Sequence, residues 1–226
     1  MSEVGMEKPT GLEKPTLEQL PSVIAGNLLE IGAVTLRPNE PFTWTSGIIS
    51  PIYCDNRLTM GYPAIRDRIA EGFATLIREH YPDAEIIAGT ATAGIPHAAW
   101  VAQKLNLPMA YIRDKAKGHG KQNMIEGRIA PGQKVVVIED LISTGGSSLK
   151  AALAVRDVGA EALGVLAIFT YQFAQAEQAF AEAGIPLRTL SNYSALVEEA
   201  RKQGTITDEQ VSLLQSWRNS PQTFGK

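Results

Sequence analysis

Residues 135–148 read Val-Val-Val-Ile-Glu-Asp-Leu-Ile-Ser-Thr-Gly-Gly-Ser-Ser, and this stretch decides the fold. Its first four residues (135–138) are β-branched and apolar on both faces, which is typical of a central parallel strand covered by helices on each side. Two carboxylates, Glu139 and Asp140, follow, and a Ser-Thr-Gly-Gly turn leads into a helical segment. This order predicts an open α/β sheet with a ligand site at the carboxyl end of the strand.

The turn after the acids suits a phosphate group. Gly145 and Gly146 let the backbone approach a ligand, and the helix that follows presents free N–H groups and the positive end of its dipole. The two carboxylates would repel phosphate but suit the vicinal hydroxyls of a ribose, or a Mg²⁺ that bridges ribose and pyrophosphate. Together these features describe a site for a phosphoribosyl group. The same residue types also occur in a plain buried strand, turn and helix cap.

Length and composition limit the classes of protein to which the chain can belong. The chain has 226 residues, a net charge of −3 and 44% hydrophobic residues, which suits one large α/β domain and gives no sign of nucleic-acid binding. The single cysteine, Cys54, excludes an intrachain disulfide or a Cys-rich metal site and favours a reducing compartment. There is no apolar run of transmembrane length and no signal-peptide core, so we expect a cytoplasmic protein with no membrane partner.

The sequence pattern divides the chain into three parts. Residues 1–20 are polar and contain proline, and we expect them to form a mobile tail. Residues 21–60 combine a helix with short β-like pieces broken by proline and glycine, which we interpret as a small N-terminal hood. In residues 61–226 strands alternate with helices, which predicts a doubly wound, mostly parallel sheet with helices on both faces and two closing helices.

Apolar spacing predicts the individual elements. Ile65 to Ile77 repeat at i+4 and predict a long helix near residues 61–80. We expect strands at 85–88, 109–112, 135–138, 162–169 and 187–189. We expect further helices at 95–105, 147–158, 173–183, 195–203 and 208–218. In the helix after the glycine turn, Leu149, Leu153 and Val155 are predicted to carry the apolar spacing.

Two other loops carry candidate chemistry. Residues 89–94 begin like a Walker loop, but Ile-Pro follows in place of Lys-Ser/Thr, so this is either a pyrophosphate-binding glycine turn or a plain tight turn. Residues 113–128 contain five Lys or Arg against two acidic residues and almost nothing apolar. Most such loops are simply solvated, but this one leaves the carboxyl end of a strand. We therefore expect a mobile loop that stabilises negative charge in the site.

The string from the apolar run to Ser-Thr-Gly-Gly resembles the 5-phosphoribosyl-1-pyrophosphate (PRPP) motif of type I phosphoribosyltransferases. With residues 41–57 (PFTWTSGIISPIYCDNR) and 111–120 (YIRDKAKGHG), the chain resembles the orotate phosphoribosyltransferases over roughly residues 22–218. The resemblance implies transfer of phosphoribose from Mg²⁺-PRPP to N1 of orotate, giving orotidine 5′-monophosphate and pyrophosphate. It also implies a homodimer whose basic loop covers the neighbour's site, with Mg²⁺ held mainly through PRPP and no protein metal site.

The resemblance implies roles for single residues. Arg113, Lys117 and His119 would contact pyrophosphate from the neighbouring subunit and, with Asp140, form the catalytic set. Glu139 and Asp140 would hold the ribose hydroxyls. The other expected substrate-binding residues are Leu141, Ile142, Ser143, Thr144, Gly145, Gly146 and Ser147 around the 5-phosphate, and Thr45, Ser46, Gly47 and Tyr53 around the base.

The chain also departs from the family pattern. Many relatives have a lysine at the position of Thr45, and a basic residue at that of Asp114. Some have an arginine after the strand that ends here in Phe169-Thr170-Tyr171, so the partner of the orotate carboxylate is unassigned; hood amides or Arg57 are candidates. Two alternatives stay open: a phosphoribosyltransferase for a purine base, and a non-catalytic PRPP-sensing regulator that binds nucleic acid. The slightly acidic net charge and the short N-terminal tail count against the regulator.

Overall fold

The computed structural model describes residues 15–44, 47–115, 124–221 and 224. In chain order its elements are α1 (Leu20–Glu30), β1 (Val34–Leu36), β2 (Phe42–Thr43), β3 (Ile49–Ser50), β4 (Ile52–Cys54), the 3-10 helix η1 (Asn56–Gly61), α2 (Pro63–His80), β5 (Ile86–Thr90), α3 (Gly94–Leu105), β6 (Met109–Ile112), β7 (Ile125–Glu126), β8 (Lys134–Ile142), α4 (Gly146–Asp157), β9 (Glu161–Thr170), α5 (Ala174–Glu182), β10 (Leu187–Asn192), α6 (Tyr193–Lys202) and α7 (Asp208–Asn219). Among these helices, none has the length and apolar character needed to cross a membrane.

The described ranges contain a central six-stranded sheet in the order β10-β9-β8-β5-β6-β7. Neighbouring strands pair in parallel, except that β7 is antiparallel to β6. The first strand of this sheet along the chain is β5, with β6 on one side and β8 on the other. The direction of winding therefore reverses between β5 and β8, and α/β sheets bind ligands at the carboxyl ends of strands beside such a reversal. The predicted doubly wound, mostly parallel α/β fold is confirmed.

Helices cover both faces of the sheet because its central strands are apolar on both sides. Successive side chains of a strand point to opposite faces. Val136 and Ile138 accordingly lie in the core formed with α1, α2, α3, α6 and α7, whereas Val135 and Val137 lie in the core formed with α4 and α5. All four side chains are fully buried, as the β-branched run predicts.

The described N-terminal residues contain helix α1 and four short strands, and this part of the chain is called the hood below. Helix α1 packs against α6 and β10, and two small antiparallel ladders follow, β1 with β4 and β2 with β3. The hood is attached to the core through Trp217, whose Nε1 donates to the Ile49 carbonyl at 3.1 Å. Trp44 packs edge-on against the Trp217 ring, with the ring centroids 5.8 Å apart. These contacts hold the hood beside the carboxyl ends of the sheet strands.

The predicted helices are present with ends shifted by a few residues, but the strand predictions need two corrections. The strand expected at residues 135–138 continues to Ile142, because β8 stays paired with β9 as far as Thr170. The acids therefore lie in the end of the strand and do not follow it. Within the segment interpreted as a loop, Ile125 is buried and pairs with Ile112, which forms the unpredicted strand β7.

The prediction for the buried face of α4 is wrong in one position. Leu153 is 40% exposed. Small side chains make the contact with the sheet instead, since Ala151, Ala152 and Ala154 are buried together with Val155. Alanine at these positions allows the helix to lie close to the strands, and the single leucine on the outer side carries no packing signal.

Candidate active site

The topology predicts a ligand crevice at the carboxyl end of the sheet, because β8 continues past the end of β5. The last pair between them is Ile138 with Gly89. Beyond it, β8 pairs only with β9, while the chain leaves β5 and turns through residues 91–93 into α3. Glu139 and Asp140 lie in this half-paired stretch. Both carboxyl groups therefore stand where the sheet topology predicts a ligand.

The acidic pair is electrostatically strained in the ligand-free protein. Glu139 is only 6% exposed, and its Oε1 accepts the Asp140 N–H at 3.0 Å. Burial, followed by the charge of Asp140, raises the pKa of Glu139 well above its ordinary value, and the nearby Thr90 hydroxyl opposes part of this shift. Burial also raises the pKa of Asp140, against smaller opposing effects that include the charge of Arg57. Cationic or hydrogen-bonding groups of a ligand would relieve this strain.

The turn that follows presents an open helix terminus. Gly145 has a φ of +79°, and a Cβ there would lie 2.9 Å from Cε2 of Phe180, so the position requires glycine. Among the described residues, no side chain caps the first amides of α4. Gly146 and Ser147 are exposed at this end. Free amides at a helix N-terminus with open space around them form an anion site.

The glycine turn after β5 reaches the same crevice. Gly94 begins α3, and a Cβ at this position would lie 2.4 Å from the carbonyl oxygen of Ile138. Only glycine therefore allows the first turn of α3 to lie directly against β8. The predicted turn between strand and helix is confirmed, and its role in binding pyrophosphate stays a prediction.

A cavity of about 520 Å³ lies between the hood and the ends of β8 and β9. It is lined by Phe42, Thr43, Trp44, Tyr53, Cys54, Leu141, Ser143 and Tyr171. The Tyr171 ring is held on both sides, stacked on Phe173 with centroids 5.4 Å apart and tilted against Trp44 at 5.4 Å. Burial, followed by the charge of Cys54, raises the pKa of the Tyr171 phenol, so its hydroxyl remains a hydrogen-bond donor. The cavity suits a flat ring with polar edges.

The predicted base pocket is matched only in part by this cavity. Tyr53 lines it, and Gly47 is not one of the lining residues. Thr45 and Ser46 lie outside the described residues. The sequence marks Tyr171 only as part of a segment that lacks an arginine present in some relatives. The place of Tyr171 in the cavity wall depends on how the hood folds. Leu141 and Ser143 bring the cavity directly beside the phosphate turn.

A second cavity of about 500 Å³ lies on the other side of Ser143 and Thr144, between the start of α5 and the end of α7. Gln172 and Arg218 line it. The Arg218 guanidinium donates to Ser194 Oγ at 2.9 Å, and Gln172 Oε1 accepts from the same hydroxyl at 2.6 Å. These polar groups hold α6 and α7 in place against the end of β9.

The first residue of the predicted basic loop is described. Arg113 follows β6 and pairs with Glu126 of β7, with Nη1 and Oε1 3.5 Å apart. Its N–H donates to the Met124 carbonyl at 2.8 Å. Lys117 and His119 lie outside the described residues. Arg113 therefore stands at the carboxyl end of the sheet, on the side of β5 opposite to the phosphate turn.

A protein-bound metal centre would need more ligands than the acidic pair offers. Within the described ranges, no group of three or more His, Cys, Asp or Glu side chains could hold a metal ion. Two adjacent carboxylates with raised pKa values can still contribute oxygen ligands to a cation that takes its other ligands from a substrate. The residues present therefore fit a divalent cation that arrives with a phosphorylated ligand.

Comparisons with known proteins agree with this geometry. Residues 62–196 match the family model described as the phosphoribosyl transferase domain. An orotate phosphoribosyltransferase of Enterococcus faecalis is 61% identical over 203 residues, which are 90% of this chain and 97% of the relative. The crystal structure of orotate phosphoribosyltransferase from Aeropyrum pernix is similar with a TM-score of 0.70 and 27% identity, covering 81% of this chain and 99% of that one. The Leishmania donovani UMP synthase structure is similar with a TM-score of 0.72 and 28% identity, over 87% of this chain and 42% of that one.

The strain at Glu139 predicts a pH-dependent gain in stability from Glu139→Gln. The folded ligand-free protein binds the Glu139 proton more tightly than the unfolded chain, so the stabilisation is complete below the ordinary carboxyl pKa of about 4.3 and is lost as the pH rises through the raised pKa. Each tenfold difference in proton affinity between the two states corresponds to about 1.4 kcal/mol. We expect the substitution to raise the free energy of unfolding by about 1–3 kcal/mol at pH 8 and by much less at pH 5.

Urea unfolding of the ligand-free protein at pH 5, 6.5 and 8 measures this difference. Glu40→Gln, in an exposed loop of the hood, is the matched control and should change stability little at any pH. An equal effect of Glu139→Gln at pH 5 and pH 8 would show that Glu139 is not buried as a strained acid.

Proposed function

The chain belongs to the orotate phosphoribosyltransferases, and on that basis we propose how its residues share the reaction. The enzyme transfers the 5-phosphoribosyl group of PRPP to N1 of orotate, which yields orotidine 5′-monophosphate and pyrophosphate for pyrimidine biosynthesis. One observation carries the assignment of the site: the acidic pair lies in the strand end that leads directly to the open amides of α4, and the cavity beside the hood is lined by Leu141 and Ser143 of the same segment.

The phosphoribosyl group would bind along the crevice that the topology predicts. The hydroxyls and amides of Ser143, Thr144 and Ser147 would receive the 5-phosphate at the N-terminus of α4, where the helix dipole favours an anion. Glu139 and Asp140 would accept hydrogen bonds from the vicinal ribose hydroxyls. Those hydroxyls are donors aimed at the two buried acids, so binding would relieve the desolvation that raises their pKa values.

The reaction itself needs positioning and charge stabilisation. The C1′–pyrophosphate bond breaks as the C1′–N1 bond forms, positive charge develops on the ribose, and the leaving pyrophosphate gains negative charge. Arg113, Lys117 and His119 would stabilise this leaving group. A cation at about 4 Å contributes about 4 kcal/mol of gross Coulomb energy at an effective dielectric of about 20. Because about 1.4 kcal/mol is tenfold in rate, the loss of one contact is expected to cost several hundredfold.

The substrate would bring a Mg²⁺ ion that neutralises part of the pyrophosphate charge when bound. Among the described residues, Asp140 and Glu139 are the carboxylates beside the proposed path of the ribose, and they would meet this cation through the ribose hydroxyls or directly. As the family resemblance implies, the cation would be held mainly through oxygen atoms of PRPP.

The base would occupy the cavity beside the hood, where neutral donors replace a cation. Within the described residues, the cavity wall contains no Lys, Arg or His. Arg57 is committed to Asp55, with Nε and Oδ1 2.6 Å apart. The Asp55 N–H donates at 2.7 Å to the carbonyl of Ala33, the residue just before β1. In an antiparallel ladder the N–H of the preceding residue, Cys54, therefore points away from β1. Among the two candidates, the hood amide of Cys54 is thus favoured over Arg57 for the orotate carboxylate.

The enzyme would act as a homodimer with the basic loop shared across subunits. Leu58, Met60 and Tyr62 lie together in or beside η1, and each is at least 37% exposed. Exposed apolar side chains that are close together favour a protein–protein contact. A second copy of this chain is the partner that the family resemblance implies.

The assigned base specificity can be tested by turnover. We expect pyrophosphate release from PRPP with orotate in the presence of Mg²⁺, and no release with adenine, xanthine or hypoxanthine at equal concentration. The same preparation should not shift DNA or RNA fragments in a gel. Turnover with a purine base but not with orotate would identify a purine enzyme, and nucleic-acid binding without turnover would identify a regulator.

The shared loop predicts complementation between two inactive variants. Lys117→Ala should lower kcat several hundredfold through the lost charge on the leaving group. Asp140→Asn should weaken Mg²⁺-PRPP binding. If the loop acts across subunits, random mixing of the two variants places one intact site in each hybrid dimer and restores about one quarter of the wild-type activity. Refolding the two together and assaying turnover measures this. The matched control, Asp140→Asn refolded alone, should stay inactive, and no gain on mixing would place the loop on its own subunit's site.

The neutral base cavity predicts a specific effect of Tyr171→Phe. Removing a hydroxyl that hydrogen-bonds a substrate costs about 1–3 kcal/mol, so we expect KM for orotate to rise about tenfold or more with little change in PRPP binding. Tyr193→Phe is the matched control, because the Tyr193 hydroxyl donates to the Leu214 carbonyl at 3.0 Å and its ring packs on Trp217. The control should reduce stability and leave KM for orotate unchanged. Equal KM values for both variants would remove Tyr171 from the base contacts.

A further inference from the structure

The side chain of Asn56 connects the hood to the acidic strand end. Asn56 begins η1, is 1% exposed, and donates from Nδ2 to the main-chain carbonyl of Asp140 at 2.7 Å. Its Oδ1 accepts the thiol of Cys54 at 3.3 Å. One buried amide thus touches both the wall of the base cavity and the residue proposed to hold ribose.

The chemistry of the two partners fixes the orientation of this amide. A main-chain carbonyl can only accept, so Nδ2 must face Asp140 and Oδ1 must face Cys54. Burial, followed by the charges of Asp140 and Asp55, raises the pKa of the Cys54 thiol, which therefore keeps its proton and can donate. Both ends of the amide are satisfied, and the side chain has a single favourable rotamer state.

The position of this bond matters because the sheet leaves Asp140 half supported. The last pair of β8 with β5 is Ile138 with Gly89, and the Ala91 N–H of the following turn donates to the Ile112 carbonyl of β6. From Glu139 onward β8 thus has a strand neighbour only in β9. A hydrogen bond from a side chain supplies the restraint that a neighbouring strand gives elsewhere in the sheet.

Restraining the carbonyl also restrains the carboxylate of the same residue. Both are attached to one Cα, so the hydrogen bond from Asn56 restrains the backbone at Asp140 and with it the direction of the Cα–Cβ bond from which the carboxylate extends. A displacement of about 1 Å at a reacting centre can cost about a hundredfold in rate. The hydrogen bond to Cys54 links this restraint to the wall of the cavity that would hold the base.

We propose that Asn56 is a positioning residue that fixes the Asp140 carboxylate relative to the wall of the base cavity. The ribose carbon that reacts and the base would then be aligned with each other. The proposal rests on the proposed function, in which Asp140 binds the ribose hydroxyls and the cavity binds orotate. It concerns the geometry between two binding regions and adds no contact to a substrate.

Asn56→Ala and Asn56→Asp test the proposal in the full-length enzyme. Asn56→Ala removes the bond, and we expect the Kd for Mg²⁺-PRPP, measured by calorimetry, to rise about tenfold and kcat to fall about tenfold or more. Asn56→Asp keeps the shape but lacks the donor while ionised, and regains an O–H donor when protonated. Burial beside Asp140 should raise the pKa of an aspartate at this position, so the ratio of kcat/KM between Asn56→Asp and Asn56→Ala should increase as the pH falls from 8 to 6.

Two controls separate positioning from general loosening. Ser191→Ala removes a bond of the same kind far from the site, from Oγ to the Pro21 carbonyl at 2.7 Å. Ser50→Ala loosens the hood itself, because Ser50 Oγ donates to the Ile52 carbonyl at 2.8 Å and accepts the Ile52 N–H at 3.2 Å. Both serines are fully buried. The two controls should lower the melting temperature as Asn56→Ala does and leave the Kd for PRPP within about twofold of wild type.

The outcomes are distinguishable. A rise in the PRPP Kd that is as large in Ser50→Ala as in Asn56→Ala would overturn the proposal, since loosening the hood would then explain it. Failure of both Asn56 variants to fold would also overturn it, because Asn56 would be structural. If Asp140→Asn binds PRPP like the wild type, the proposed function of Asp140 is wrong. If Asp140→Asn is defective and the Asn56 variants are normal, only the positioning role fails.

Discussion

The unequal length of two neighbouring strands is the constraint on which the site depends. β5 turns away after Thr90, while β8 continues beside β9 to Ile142. This difference lies at the point where the winding of the sheet reverses and a ligand crevice is expected, and it leaves two carboxylates in a strand end with one neighbouring strand. Gly94 makes the arrangement possible, because α3 begins in contact with the Ile138 carbonyl and no side chain would fit between them. The phosphate turn, the acids and the hood cavity all adjoin this crevice.

Burying adjacent acids costs stability, and under the proposed assignment the substrate would offset that cost. Glu139 and Asp140 both have raised pKa values because solvent is largely removed from them. In the proposed complex a ribose diol would supply two donors, and a cation carried by pyrophosphate would supply charge, so the acids would be better solvated with substrate than without it. A functional site that is destabilising by itself and satisfied by its ligand is the expected compromise between stability and binding.

The sequence predicts the local features well and the tertiary ones poorly. The apolar run before Glu139 and the glycines after it specify a buried strand, a turn and a helix by local rules, and these are confirmed. The extension of β8 to Ile142 depends on pairing with β9, and β7 depends on the pairing of Ile125 and Glu126 with Ile112 and Tyr111 of β6. Neither contact leaves a periodic signal in a short segment. Asn56 looks like an ordinary loop residue, because its partner is 84 residues away. Packing across such distances decides both its burial and its chemistry.

In the proposed complex the neutral cavity would recognise an anionic base by polarity and shape. A guanidinium would give strong but broad attraction to any anion, including free phosphate, whereas hydroxyl and amide donors contribute only when their geometry is met. Such donors are effective when they cannot move, and the Tyr171 ring is held by Phe173 on one face and by Trp44 and Trp217 around it. Trp217 also donates to the Ile49 carbonyl of the hood, so the cluster that fixes the donor fixes the opposite wall of the cavity. Rigid placement of neutral groups therefore takes the place of charge: a base that lacks the matching acceptors would leave buried donors unpaired, and that penalty provides the discrimination.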